Sequence, residues 1–441
     1  MSATAFSLAA AAVLSGLIGL DQRSHKLGVV ASFGILALGL AALEPMVLPM
    51  AAIVGTVVVA RVGGGSADLS VSDALLFFGT LMAVFLVLVR RDSDPNLRRL
   101  LWLVAIYETV TLIAVAYNPY RSDWVEWVHE AFLAGGSLLV GWVVGRAGRT
   151  REAMSALLAV ACVLAIAALV YSGAHHFHLA YIPGGYQKNF IGDWLDFPIF
   201  AALTNPRFIG WRGRGHLYGG VLCIAGLLAS GSRQGILGIV VALVVYHLRG
   251  HLPRARRWLL RGGIAVALAL IGWGLQKELA SSNLFNSAHQ RVVWYRESLR
   301  LFHLSPLLGE GFRWWYTTRF TFSFAPPNGE LEILTSVGLV GLFAFLVLHL
   351  GALRALWRLP PAFGMFAFAA LVMRLVQTLV DQFWLTSQSA IPWMFVGLAL
   401  GALYSAGRSR PALSPGVHPL ALVAAAAEVD SADAPRARTD R

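Results

Sequence analysis

Residues 331–350 read LEILTSVGLVGLFAFLVLHL, an apolar run interrupted only by Glu332, Thr335, Ser336 and His349. A helix needs ~20 predominantly apolar residues to cross the hydrocarbon core of a bilayer, and this run supplies them. Residues 154–171 and 258–273 are comparable. Working outward, the whole chain shares this character. Its 441 residues are 57% hydrophobic and only 13% charged, with a mean hydropathy of +0.66. Soluble domains carry about 25% charged residues. Only helices or closed barrels satisfy the backbone in lipid, and the alternation of barrel strands is absent. The sequence therefore predicts an all-α, polytopic transmembrane helical bundle.

The formal net charge of +12 would suggest nucleic acid in a soluble protein. Here the basic residues concentrate in short loops between apolar runs, as in the positive-inside pattern, so membrane lipids and no nucleic acid are the expected partners. Cys162 and Cys223 both fall in apolar helical runs, and neither a disulfide nor a metal site is indicated. Residues 1–20 lack a positive n-region and read as a first span rather than a signal peptide.

Hydropathy gives about 12–14 spans. They lie near residues 4–20, 27–43, 46–60, 73–89, 99–116, 128–145, 153–171, 189–203, 215–230, 235–248, 258–275, 331–350, 362–380 and 388–405. The transmembrane domain thus covers 1–405, and residues 406–441 read as a disordered cytoplasmic tail. Alternation puts four arginine clusters on one side: Arg90, Arg91, Arg98 and Arg99; Arg146, Arg149 and Arg151; Arg249, Arg254, Arg256 and Arg257; Arg354 and Arg358. That side is expected to be cytoplasmic. The opposite side receives the loop at 172–189, the turn at 231–234 and the one large polar loop, 276–330.

The residues that suggest chemistry collect on that opposite side. Lys188 and Asn189 open the eighth span. Arg233 sits in a turn between two apolar helices; an arginine at a membrane edge marks a pathway, a site or a lipid head group, or it snorkels to the interface. In the large loop, residues 287–302 read as an amphipathic helix, with Val292, Val293, Leu299 and Phe302 on an apolar side and Arg291, Glu297 and Arg300 supplying charge. A helix lying flat on the lipid surface has the same pattern. Pro306 and the glycines at 309 and 311 predict a tight turn, with Trp314, Trp315 and Tyr316 after it as an interfacial anchor or a sugar-stacking platform. Asn328, Glu330 and Glu332 lead into the next span, where acids complement the helix dipole. His175, His176 and His178 lack a carboxylate or cysteine at ligand spacing and read as a solvated loop. Glu108 lies inside a span, as a functional group or as an arginine's partner.

Taken in order, QKNFIG (187–192), SRQG (232–235), RVVW (291–294), SPLLGEG (305–311) and PPNGELEILTSVGLVG (326–341) resemble the bacterial O-antigen ligase and O-antigen polymerase superfamily. The resemblance covers about residues 180–345. It implies a glycosyltransferase of the bacterial cytoplasmic (inner) membrane, working on the extracytoplasmic face. Its donor would be a polyprenyl-diphosphate-linked glycan and its acceptor a glycan or lipid, with neither nucleotide sugar nor metal nor other cofactor. By that resemblance Arg233 and Arg291 grip the diphosphate, and Lys188, Asn189, Trp294, Asn328, Glu332 and His289 line the substrate. Pro327 stands where the ligases carry a histidine. If a base is used, Glu330 is the expected one, with Glu332 and His289 as further candidates; alternatively the arginines do most of the work and no strong base is needed. The proline fits a polymerase or a distant ligase-like member better than a lipopolysaccharide ligase. The rival expectation is a secondary transporter or flippase for a lipid-linked or anionic substrate, a class marked by internal repeats and broken helices.

Overall fold

A computed structural model describes residues 43–62, 69–91, 94–118, 120–176, 179–249, 287–317, 319–320, 325–381 and 386–408, with isolated positions elsewhere. Local sequence signals explain most helix boundaries. Helix α1 (Val47–Gly55) precedes a two-residue antiparallel pair, β1 (Arg61–Val62) and β2 (Leu69–Ser70). Ser70 then opens α2 (Val71–Arg90) with a capping box: its hydroxyl accepts from Asp73 N, and its own N–H donates to Asp73 Oδ2 at 2.6 Å. Asp94 caps α3 (Pro95–Tyr117), where Pro95 starts a helix that needs no N–H there. Helices α4 (Arg121–Ala131) and α5 (Ser137–Arg146) join through a π-helical turn, Phe132–Gly136. Then follow α6 (Thr150–Ala174), α7 (Lys188–Thr204), α8 (Gly215–Ser230) and α9 (Arg233–His247). After α10 (Ser287–Leu304) come α11 (Gly329–Trp357), α12 (Pro361–Thr378) and α13 (Thr386–Arg408).

Seven helical stretches among the described residues are long and apolar enough to cross a membrane: Val71–Arg90, Pro95–Tyr117, Arg121–Arg146, Thr150–Ala174, Gly329–Trp357, Pro361–Thr378 and Gln388–Arg408. The chain is therefore a mostly helical bundle of membrane character. Expected spans at 189–203, 215–230 and 235–248 are helices of 17, 16 and 15 residues. The expected span at 46–60 is not one helix: α1 has nine residues, and the chain then extends into the β1–β2 pair. Expected spans at 4–20 and 258–275, most of that at 27–43, the loop at 277–286 and the tail at 409–441 lie outside the described residues.

Helix α7 is buried along most of its length and packs against α6, α8, α9, α12 and α13. The closest helix pair is α5 with α13. Gly141 and Gly145 of α5 face Met394 and Leu398 backbone, while Gly397 and Gly401 of α13 face Leu138 and Trp142 backbone. A Cβ at any of the four would overlap the opposite main chain. This is a reciprocal GxxxG contact, in which small residues let two helix backbones approach without a hydrophobic driving force.

Contacts at the helix ends gather in two regions. At one, Arg146 stacks over Trp142 at 5.2 Å and Tyr404 at 5.8 Å, Arg149 pairs with Glu152 at 2.6 Å, and the Arg249 guanidinium donates to Trp357 O. Arg90 and Arg408 act electrostatically on Arg146 there, Gly210 approaches the Arg151 guanidinium in the loop that carries the exposed Arg212, and Arg358 follows Trp357 at the end of α11. The other face holds the ends of α7, α9, α11 and α12 that carry the candidate site.

Candidate functional site

The site is built where four helix ends meet. Ser232 caps α9, accepting from Gly235 N at 3.2 Å, and this fixes Arg233 and Gln234 in the first turn. Gln234 Nε2 donates to Asp193 Oδ2 of α7 at 2.7 Å and to Asp381 Oδ2, beyond α12, at 2.6 Å. Arg374 of α12 is wholly buried, with NH1 3.8 Å from Asp193 Oδ2. One turn deeper along α7, Asp196 accepts from Gln377 Nε2 of α12 at 2.5 Å. Gly235 and Gly238 leave the room: a Cβ at Gly238 would lie 2.6 Å from Gln377 Nε2 and 2.9 Å from Asp196 Oδ2. A buried charge is tolerated when paired and hydrogen-bonded; Asp193 is compensated at Oδ2 by Gln234 and by the Arg374 guanidinium at 3.8 Å, while its Oδ1 has no hydrogen-bond partner among the described residues.

Asn328 joins α11 to the same cluster. Its Oδ1 accepts from Leu331 N at 2.8 Å, and its Nδ2 donates to Leu379 O at 2.8 Å. Glu330 accepts from Thr378 Oγ1 at 3.4 Å and feels Arg374. Helix α10 lies alongside. Burial pushes the Tyr295 phenol up; Arg291 opposes this, while Glu330 and Asp381 add to it. Arg291 also acts electrostatically on Asp193. The structure thus brings Arg291, Glu330, Gln234, Asp193, Arg374 and Asp381 into one polar layer, with Arg233 in the adjoining turn.

The loop after α10 is docked by backbone. Helix α11 is broken at Gly338, whose φ of 65° and ψ of −164° are non-helical. The segment 306–311 fills the break: Glu310 N donates to Thr335 O at 2.8 Å, Gly311 N to Ser336 O at 2.9 Å, Leu339 N to Pro306 O at 2.9 Å and Val340 N to Leu307 O at 3.2 Å. The tight turn expected there is present, with Gly309 at φ 69° and Gly311 at φ 93°.

A second buried cluster clamps the same loop. Both ring nitrogens of His129 face carboxylates, Nε2 toward Asp73 Oδ1 at 2.8 Å and Nδ1 toward Glu126 Oε2 at 3.1 Å. Glu126 also pairs with Arg313, and Asp123 Oδ1 accepts from Phe312 N. Tyr107 OH donates to Glu130 Oε2 at 2.7 Å. The cluster ties α2, α3 and α4 to the loop.

The expected site residues distribute as follows. Arg291 and Glu330 belong to the polar layer, and Arg233 lies in the adjoining first turn of α9. Lys188 and Asn189 open α7, at the same face and only partly exposed. Trp294 is half-buried on α10, and its carbonyl accepts from Ser298 Oγ at 2.8 Å. The His289 backbone is helical, but its side chain lies outside the described residues. Glu332 is buried between the two clusters, within the electrostatic reach of Tyr107, Glu130 and Arg374. Trp314 is fully buried and donates Nε1 to Thr335 Oγ1 at 3.2 Å, so it anchors the loop and offers no stacking platform. The Glu108 carboxylate makes no hydrogen bond among the described residues, and the suggested arginine pairing is not found.

In the sequence, Asp193 and Asp196 only interrupt the apolar run of the eighth span, and Asp73, Glu126, His129, Arg313 and Gln377 belong to none of the motifs quoted above. The available signal was acid inside an apolar run, which marks a pathway or a pair by default. No protein-family model matches this sequence, and no curated protein matches it significantly.

Proposed function

We propose that the chain is a membrane glycosyltransferase that transfers or polymerises a polyprenyl-diphosphate-linked glycan at the face bearing Arg233 and Arg291. The observation that carries the reading is the Gln234 bridge to Asp193 and Asp381. It gathers three segments, distant in sequence, around two arginines and a carboxylate. In this reaction the acceptor hydroxyl attacks the anomeric carbon, and the carbon–oxygen bond to the diphosphate breaks. Negative charge then develops on the leaving diphosphate, and fixed guanidinium groups stabilise it. Glu330 takes the acceptor's proton. The basic opposite face supports a cytoplasmic orientation there, and with it a reaction on the outer side of the bacterial cytoplasmic membrane. The test is reconstitution with a polyprenyl-linked oligosaccharide. Longer or transferred glycan is expected from the native chain and none from Arg233→Ala or Arg291→Ala, with membrane insertion retained. Full product from both variants rejects the reading.

A second reading, a transporter or flippase, draws on the break at Gly338 and the acids inside α3, α4 and α7. Discontinuous helices and intramembrane acids are recurrent in transporters. Sealed vesicles separate the two readings. Movement of the lipid-linked glycan across the bilayer without a change in its length favours transport.

A further inference from the structure

Helix α10 has two faces of different character. Arg291, Trp294, Tyr295, Ser298 and Leu301 face the protein and are buried or half-buried. The outward face carries Val292, Val293 and Leu299, and ends in Leu304 and Leu307, which are 64% and 62% exposed. Arg296, Arg300 and His303 share that face. Arg300 pairs only loosely with Glu297 of the same helix, at 4.0 Å.

The depth of this face follows from the broken helix. Leu339 N and Val340 N donate to Pro306 O and Leu307 O, so Leu307 sits at the level of Leu339. That level is ten residues past Gly329, where the span starts, roughly 15 Å along it at helical rise. Leu339 and Phe343 are 46% and 70% exposed on the outside of the bundle, the side of a membrane span that meets lipid. The apolar end of α10 is therefore continuous with the lipid-facing flank of α11. Apolar residues deep and arginines toward the solvent end is the arrangement of an interfacial helix, whose cations pair with anionic lipid phosphates.

We propose that α10 is immersed in the bilayer, with Leu304 and Leu307 among acyl chains and Arg296 and Arg300 on the phosphates of anionic lipids. The inward face of the same helix then holds Arg291 at the polar layer, so lipid contact on one side fixes a site residue on the other. The inference does not depend on glycan transfer.

The experiment uses the full chain in lipid nanodiscs, with Cys162 and Cys223 replaced by alanine. A fluorophore is placed at Leu304→Cys, Leu307→Cys or, as a control on the basic face, Arg212→Cys. Brominated lipid is expected to quench the first two and aqueous iodide only the third. Iodide quenching at Leu304 and Leu307 overturns immersion, as does shielding of both from either quencher together with a disulfide forming between copies of the unlabelled Leu304→Cys or Leu307→Cys variant under oxidising conditions. The Arg296→Gln, Arg300→Gln double variant is expected to retain several-fold less co-purifying anionic lipid than the native chain. Equal retention overturns the phosphate contact.

Discussion

Gly309 and Gly338 hold two segments in backbone contact. A Cβ on Gly309 would overlap the Ser336 carbonyl, and a Cβ on Gly338 would overlap the Leu307 carbonyl. Both glycines have positive φ, 69° and 65°. The two glycine motifs that looked separate along the chain are thus two halves of one joint, in which a loop supplies hydrogen bonds that a broken helix has lost.

Gly338→Ala is expected to destabilise this joint strongly, since its φ/ψ region is nearly closed to other residues and costs about 1–3 kcal/mol before any overlap. Thermal unfolding in detergent should show a lowered midpoint, and limited proteolysis should cut between residues 305 and 317. An unchanged midpoint and cleavage pattern would contradict the docking.

The α5–α13 contact should be as intolerant. Gly145→Leu or Gly397→Leu forces the two backbones apart, because Leu398 O and Leu138 O occupy the space. Each is expected to reduce the yield of folded, monodisperse protein sharply, whereas Gly407→Ala, with nothing within 4 Å, should behave as the native chain. Equal yields for all three would reject the close approach.

The buried Asp73–His129–Glu126–Arg313 cluster should respond asymmetrically. Removing one member leaves an uncompensated buried charge, a loss of about 3–5 kcal/mol. Arg313→Met alone is expected to be severely destabilising, and Glu126→Gln added to it should recover part of the loss. A double-mutant cycle on unfolding free energies measures this, and additive effects would mean that the pair is not coupled.

Tyr295 gives a pH prediction with a definite sign. Burial raises its phenol above the usual value. Below about pH 10 the group is neutral in both folded and unfolded chains. Above it the unfolded chain ionises first and holds fewer protons, so stability falls as pH rises into that range. Tyr295→Phe should remove this loss, read as a shallower fall of the unfolding midpoint in alkaline buffer and as one fewer late-titrating phenolate in the ultraviolet spectrum.

The sequence by itself determined the class. Apolar runs such as 331–350 match bilayer thickness, and Ser70, Asp94, Ser232 and Asn328 place helix starts, because capping and burial are local or periodic properties. Alternation of the spans also predicts a shared face for the arginines of the basic loops. Only the tertiary structure decided which polar groups meet. Gln234 reaches Asp193 and Asp381 across 41 and 147 residues, and Arg313 finds Glu126 from a loop far along the chain. Nothing periodic encodes such pairs; they form because helices buried in an apolar medium must satisfy their polar side chains against one another. The same need explains the two local surprises. Helix α11 breaks at Gly338 because the 306–311 loop offers its backbone partners, and the stretch after α1 extends because β2 pairs with it.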